Sequence, residues 1–147
     1  MRAADMAQRC AETMLAKDKA TEFLGLQLLS VEAGRAEMRM EVRPFMLNGH
    51  GICHGGFIFI LTDAAFAYAS NTYDQVAVAQ HCSITFLRAA REGMQLTASA
   101  QERVRAGRSG IYDVTVVDEN AVLIAEFRGL SRTTKGTILD SKESQSG

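Results

Sequence analysis

Residues 55–70 read Gly-Gly-Phe-Ile-Phe-Ile-Leu-Thr-Asp-Ala-Ala-Phe-Ala-Tyr-Ala-Ser, and this run decides the fold. Its length and alanine content favour a helix over a strand, yet its apolar side chains leave no wet stripe. A helix that is hydrophobic all round must be wrapped by protein or lipid. Lipid is excluded, because the run falls short of the roughly 20 residues that cross a bilayer and carries Asp63 inside it. Protein therefore has to surround it.

The flanking sequence supplies the wrapping. Ala36, Met38, Met40 and Val42 alternate with Arg35, Glu37, Arg39, Glu41 and Arg43 until Pro44, the only proline. That is the period-two pattern of a strand with one wet face. A shorter apolar run at 26–31 precedes it, ended by Ala33 and Gly34 as a turn signal. After the apolar helix come strand candidates at 76–87, 94–104, 111–117 and 121–130. The links at 89–93, 106–110 and 118–120 all carry hairpin chemistry. About six strands, mostly hairpin-connected, with one apolar helix between the second and third, predict an α+β fold in which a curved antiparallel sheet wraps the helix. The helix's remaining apolar side then needs a partner chain, so the pattern also predicts an oligomer. Residues 1–19 read as an additional N-terminal helix, with Met6, Cys10, Met14 and Leu15 at helical spacing. Residues 20–135 form the main domain, and 136–147 a polar tail expected to fray.

Composition narrows the function classes. The chain has 147 residues, enough for one domain, with 16 basic and 17 acidic side chains. That balance gives no footprint for nucleic acid and no polybasic signal for a membrane surface. The N-terminus lacks the apolar core of a secretory signal. Cys10, Cys53 and Cys82 are an odd number at spacings matching neither a disulfide framework nor a zinc site, which points to a reduced, cytoplasmic protein.

Two features carry chemistry. Asp63 is the only ionisable group between Gly55 and Ala69 apart from Tyr68. An unpaired carboxylate inside a buried helix costs several kcal/mol or shifts its pKa. Such a residue is either a carboxylate at the helix edge, reaching solvent or a backbone amide, or a functional acid. The second feature is His54-Gly55-Gly56 at the start of the helix. First-turn N–H groups lack intrahelical acceptors and carry partial positive charge. Two glycines allow a ligand oxygen to approach them, as an oxyanion site requires. Alone, these glycines read first as a flexible loop end with glycine at the helix start. Together with Asp63 they describe acyl transfer: backbone donors for a carbonyl and a carboxylate for the attacking water.

The stretch from Asn48 through Gly49, His50, Gly51, Ile52, Cys53, His54, Gly55 and Gly56, followed by Leu61-Thr62-Asp63-Ala64-Ala65-Phe66-Ala67-Tyr68-Ala69, resembles the signature of hotdog-fold acyl-CoA thioesterases. It is most similar to the phenylacetate-degradation (PaaI-type) branch. The likeness continues through 82–88 and 110–114 and ends near Gly129. It implies a hotdog fold paired into homodimers, and usually homotetramers, with active sites built from different subunits. By that resemblance Asp63 is the catalytic carboxylate, as general base or as nucleophile. Gly55 donates to the thioester oxygen with Gly56 in support, Asn48 positions the water or the acid, and His54 holds the thioester end. The substrate implied is an aryl-acyl-CoA, with no metal or organic cofactor. One departure stands out: where some relatives carry a serine or threonine one turn after the acid, this chain has Ala67. Any assisting group must come from elsewhere, with Gln80-His81-Cys82-Ser83 as the candidate strand.

Other residues have weaker claims. The aromatic residues here read mostly as core, and among them Phe45 and Phe66 are candidates to line the acyl slot. Arg88, Arg105 and Arg108 are candidates to meet coenzyme A phosphates, against a solvated surface. His50, His54 and His81 lie near cysteines, but in no standard metal spacing. Cys53 or Cys82 as a nucleophile is a further reading, weakened because the adjacent Cys53 and His54 rarely face one another. A non-catalytic acyl-CoA-binding protein is the alternative of a different class; a buried acid would serve no purpose in it.

Overall fold

A computed structural model describes residues 1–139. The apolar run forms α3 (Gly55–Ser70), 16 residues long. Around it lie α1 (Ala3–Leu15), α2 (Lys19–Leu24), β1 (Gln27–Glu32), β2 (Arg35–Glu41), β3 (Ala77–Phe86), β4 (Gln95–Ala106), β5 (Ser109–Val117) and β6 (Leu123–Thr133), with a single 3-10 turn at Pro44–Met46. The strands form one antiparallel sheet in the order β1-β2-β4-β5-β6-β3.

The alternation in β2 does what it predicts: Ala36, Met38 and Met40 are buried while Arg35, Glu37, Arg39 and Glu41 face water. Leu96, Ala98 and Ala100 continue that inner face on β4, and Tyr112, Val114 and Val116 on β5. Alanines at the centre of the sheet let α3 settle onto it through Leu61, Ala65 and Ala69, all fully buried. The sheet thus wraps the helix, as the count of faces requires.

Three expectations need correction. The link at 89–93 is not a hairpin, because β3 pairs with β6 at the sheet's far edge and the chain then crosses to β4. The crossing segment bonds instead to β6 and to the loop before α3: Leu87 N donates to Ile124 O at 2.8 Å, and Ala90 O accepts from Cys53 N at 2.8 Å. The N-terminal helix stops at Leu15, and a second short helix, α2, follows under an Asp18 N-cap. The tail does not fray at Gly136. Asp74 Oδ1 accepts from Ile138 N at 3.1 Å and Leu139 N at 2.9 Å, and Ile138 is buried. The rest of the expected tail, from 140 onward, lies outside the described residues.

Candidate active site

The start of α3 is held open by the loop before it. Asn48 Oδ1 accepts from His50 N at 2.9 Å and Ile52 N at 3.3 Å, so its carbonyl oxygen ties the loop and only its NH2 group remains for a ligand. His54 is the N-cap by position. Its N–H donates to Met46 O at 2.8 Å, its carbonyl accepts from Phe57 N at 3.1 Å, and its imidazole is exposed and caps nothing. Among the described residues nothing accepts from the N–H groups of Gly55 and Gly56, which are the surplus donors of the first turn.

Beside them runs a groove of about 420 Å³ lined by Asn48, Ile52, Gly55, Ile58, Phe86 and Leu87, with Arg88 at its edge. Arg88 donates from Nη1 to Leu123 O at 2.9 Å. Phe86 was not singled out by sequence reasoning, yet the tip of its ring abuts Gly55. A Cβ added to Gly55 would stand 2.8 Å from Phe86 Cζ. A side chain fits there only if the exposed Phe86 ring gives way. Phe45 is exposed nearby and meets Phe57 edge-on, with ring centroids 5.9 Å apart.

Asp63 is half-buried on α3, and no side chain among the described residues donates to it. Burial raises its pKa above the ordinary carboxylate value, and the Asp18 carboxylate adds to the rise. Such a group accepts a proton more readily than a solvated aspartate. The β3 strand packs on α3, and the Cys82 thiol on it is pushed up by burial first and by the Asp63 charge second. Burial lifts the Cys53 thiol to about 11, so at neutral pH it lacks the thiolate that a nucleophile needs.

Three expected neighbours are not brought to the groove. Phe66 is not at the groove; it is 1% exposed and packs between Tyr112 and Phe127, with centroids 5.6 and 5.8 Å away. Its ring covers Gly129, where a Cβ would come within 2.8 Å. Arg105 and Arg108 lie at the opposite end of α3 from Gly55. Arg105 stacks 3.6 Å over the Tyr73 ring, and Arg108 donates to Thr133 O at 3.1 Å beside Tyr73 and Asp74. At 1.5 Å per residue, a helix of this length puts roughly 24 Å between its ends.

The same geometry separates the two principal groups. Gly55 and Asp63 are eight positions apart, about 12 Å along one helix axis. One ligand atom cannot meet both on the same helix. The chain thus presents two separate features: surplus N–H donors beside a groove, and a carboxylate on an open flank. That flank consists of Gly56, Ile60, Asp63, Ala64 and Ala67, all at least partly exposed. Among the described residues no helix is long and apolar enough to cross a membrane.

Residues 50–125 match the family model of the thioesterase superfamily. The chain is 43% identical over 128 residues to the acyl-coenzyme A thioesterase PaaI of Escherichia coli (strain K12), covering 87% of this chain and 91% of that protein. It superposes with a TM-score of 0.91 on the structure of the E. coli PaaI protein from the phenylacetic acid degradation operon, at 40% identity over 92% of this chain and 99% of that one. A Streptococcus mutans protein solved with acetyl CoA bound is 27% identical with a TM-score of 0.73, covering 76% of this chain and 90% of that one.

Proposed function

The chain belongs to the thioesterase superfamily, is an acyl-CoA thioesterase of hotdog fold, and we propose that it hydrolyses an aryl-acyl-CoA, of the phenylacetyl or hydroxyphenylacetyl class, at a site shared by two protomers. The shared site rests on the spacing of Gly55 and Asp63, eight positions apart on one helix and therefore about 12 Å along its axis. Two α3 helices laid antiparallel on their open flanks bring Asp63 of one protomer to the Gly55 of the partner subunit. The exposed apolar flank supports this pairing, as does the β3 edge, which pairs on one side only and exposes Val78 and Phe86. Pairing of such dimers into a homotetramer is part of the same proposal, and light scattering tests it.

In this arrangement the N–H groups of Gly55 and Gly56 receive the thioester oxygen and stabilise the anion that forms as the carbonyl carbon becomes tetrahedral. Asp63 takes a proton from water, whose oxygen bonds to that carbon. The C–S bond then breaks, and the coenzyme A sulfur leaves with a proton. The raised pKa of Asp63 suits it to the general base role. The Asn48 NH2 group and the His54 imidazole flank the thioester, and Arg88 offers its charge to a phosphate. Arg105 and Arg108 reach the same ligand only from another protomer. An acyl-aspartate adduct recovered from quenched single turnovers would replace the water route by nucleophilic attack.

The acyl class rests on the apolar lining of the groove by Ile52, Ile58, Phe86 and Leu87, on the exposed Phe45–Phe57 pair, and on the likeness to a protein of a phenylacetic acid degradation operon. Three free thiols suit the cytoplasm. The test is a kinetic panel of aryl, short-chain and long-chain acyl-CoAs followed by thiol release. Phenylacetyl-CoA or a hydroxylated analogue is expected to give the highest kcat/KM; a short-chain or long-chain substrate tenfold better would overturn the aryl assignment.

A further inference from the structure

We propose that the outer face of the sheet, the side turned away from α3, docks a second copy of this chain about a two-fold axis that runs across the strands. The face is defined by burial and register. On β5, Tyr112, Val114 and Val116 are buried toward α3, so Ile111, Asp113, Thr115 and Val117 point outward. Strand pairing then sets outward residues in rows. The two middle rows are Glu37-Ser99-Thr115-Glu126 and Arg35-Gln101-Asp113-Arg128. They are flanked by Arg39-Thr97-Val117-Leu123 on one side and Val104-Ile111-Leu130 on the other.

This face differs from a sheet surface made only for water. The outward positions of β2 are all charged, as solvent alone would favour. On β5 and β6, however, Ile111, Val117, Leu123 and Leu130 stand outward and half-buried, and Val104 beside them is 45% exposed. Between these apolar ends lies a depression of about 450 Å³, lined by the short side chains of Ser99 and Thr115 with Arg35, Glu37, Arg103 and Glu126 around them. Asp113 holds two guanidiniums, Arg128 Nε at 2.7 Å and Arg103 Nε at 3.5 Å, which leaves positive charge in excess there. Among the described residues neither Arg35 nor Glu37 has an ion-pair partner.

The charge pattern chooses the partner and the axis. Two sheets packed face to face keep their strands within about 30° of alignment, so a symmetric pair has its two-fold either along the strands or across them. An axis along the strands lays β2 over β6 and each row over itself. Arg35 would then face Arg128 of the partner subunit, and Glu37 would face Glu126 of the partner subunit, like on like. An axis across the strands, between the two middle rows, keeps each strand over itself and exchanges the rows. Glu37 then meets Arg35 of the partner subunit, and Glu126 meets Arg128 of the partner subunit. The same operation sets Val117 on Ile111 of the partner subunit and Leu123 on Leu130 of the partner subunit. Every contact occurs twice, as a closed two-fold pair requires. The face is thus complementary to itself in charge and in apolar surface. It lies across the sheet from Asp63, so it adds to the pairing through α3 without depending on it.

The test is the mass of the full chain in solution by light scattering, with thiol release from an acyl-CoA as the check that the α3 side is intact. Glu37→Arg sets like charges against each other at two symmetric points, and such juxtaposition suppresses association. It is expected to halve the mass, from four chains to two. Adding Arg35→Glu restores opposite charges across the axis and is expected to return the parent mass at the same concentration. Val117→Lys places a lone cation against an apolar contact and is expected to halve the mass as well, which covers the case where Glu37→Arg fails to fold. A parent of one chain, a mass that Glu37→Arg or a folded Val117→Lys leaves unchanged, or a double variant that stays halved overturns the proposal. Failure of the pairing through α3 shows separately, as a parent of two chains that Glu37→Arg splits into one.

Discussion

Replacing Gly55 by alanine places one methyl group at the point on which the proposed chemistry depends. Its Cβ would stand 2.8 Å from Phe86 Cζ and 3.2 Å from both Cε atoms. Carbon–carbon contact is comfortable from about 3.5 Å, so the ring has to retreat by about 0.7 Å. Phe86 is 48% exposed on an edge strand and can swing toward solvent. A rotation off its preferred rotamer costs about 1 kcal/mol, and the exchange of glycine for alanine in a helix returns part of that. The melting temperature should therefore move by only a few degrees. Activity should fall much further. A displacement approaching 1 Å at a reacting centre costs about 100-fold, and loss of an oxyanion donor about 100- to 1,000-fold. Thiol release and thermal melting are measured together on Gly55→Ala and on Gly55→Ala with Phe86→Ala. Removing the ring relieves the clash and should restore the melting temperature, but not kcat, because the methyl still blocks the approach to the first-turn N–H groups. Either variant retaining kcat/KM within threefold of the parent would refute the oxyanion role of this turn.

Asp63→Asn should lower kcat by about 100- to 10,000-fold, the usual range for losing a general base, with KM little changed. Its stability effect has the opposite sign. Because the folded state raises this pKa, the ionised group opposes folding at neutral pH, a penalty absent below the ordinary carboxylate range that grows as pH rises through the folded value. The gain in melting temperature for Asp63→Asn should thus be larger at pH 7 than at pH 4, and an equal gain at both would contradict it. Phe66→Ala should destabilise by about 3–5 kcal/mol in urea titration, as a core ring and not a slot lining. Arg88→Ala should raise KM for acyl-CoA several-fold at low salt and less at high salt, because an exposed cation is screened.

The sequence made the central helix legible because a long, alanine-rich apolar run has few other outcomes, and β2 was legible from strict alternation. Pairing order was not. The Gly and polar residues of 89–93 signal a bend, but whether two strands meet across it depends on contacts with β6, far along the chain. The six residues of α2 are too few to show a period. In the candidate site, Asn48, His54 and Gly55 could be picked out because loop and helix start are contiguous. Phe66 could not be assigned from type alone, since a core ring and a slot ring look alike until Gly129 is seen beneath it.

The spacing of Gly55 and Asp63 has a genetic consequence. Two inactive polypeptides, one altered at each position, should complement each other when co-folded. Random assortment makes about half of the pairs hybrid. Each hybrid carries one catalytic centre with both lesions and one with neither, so turnover returns from a mixture in which no single polypeptide is competent.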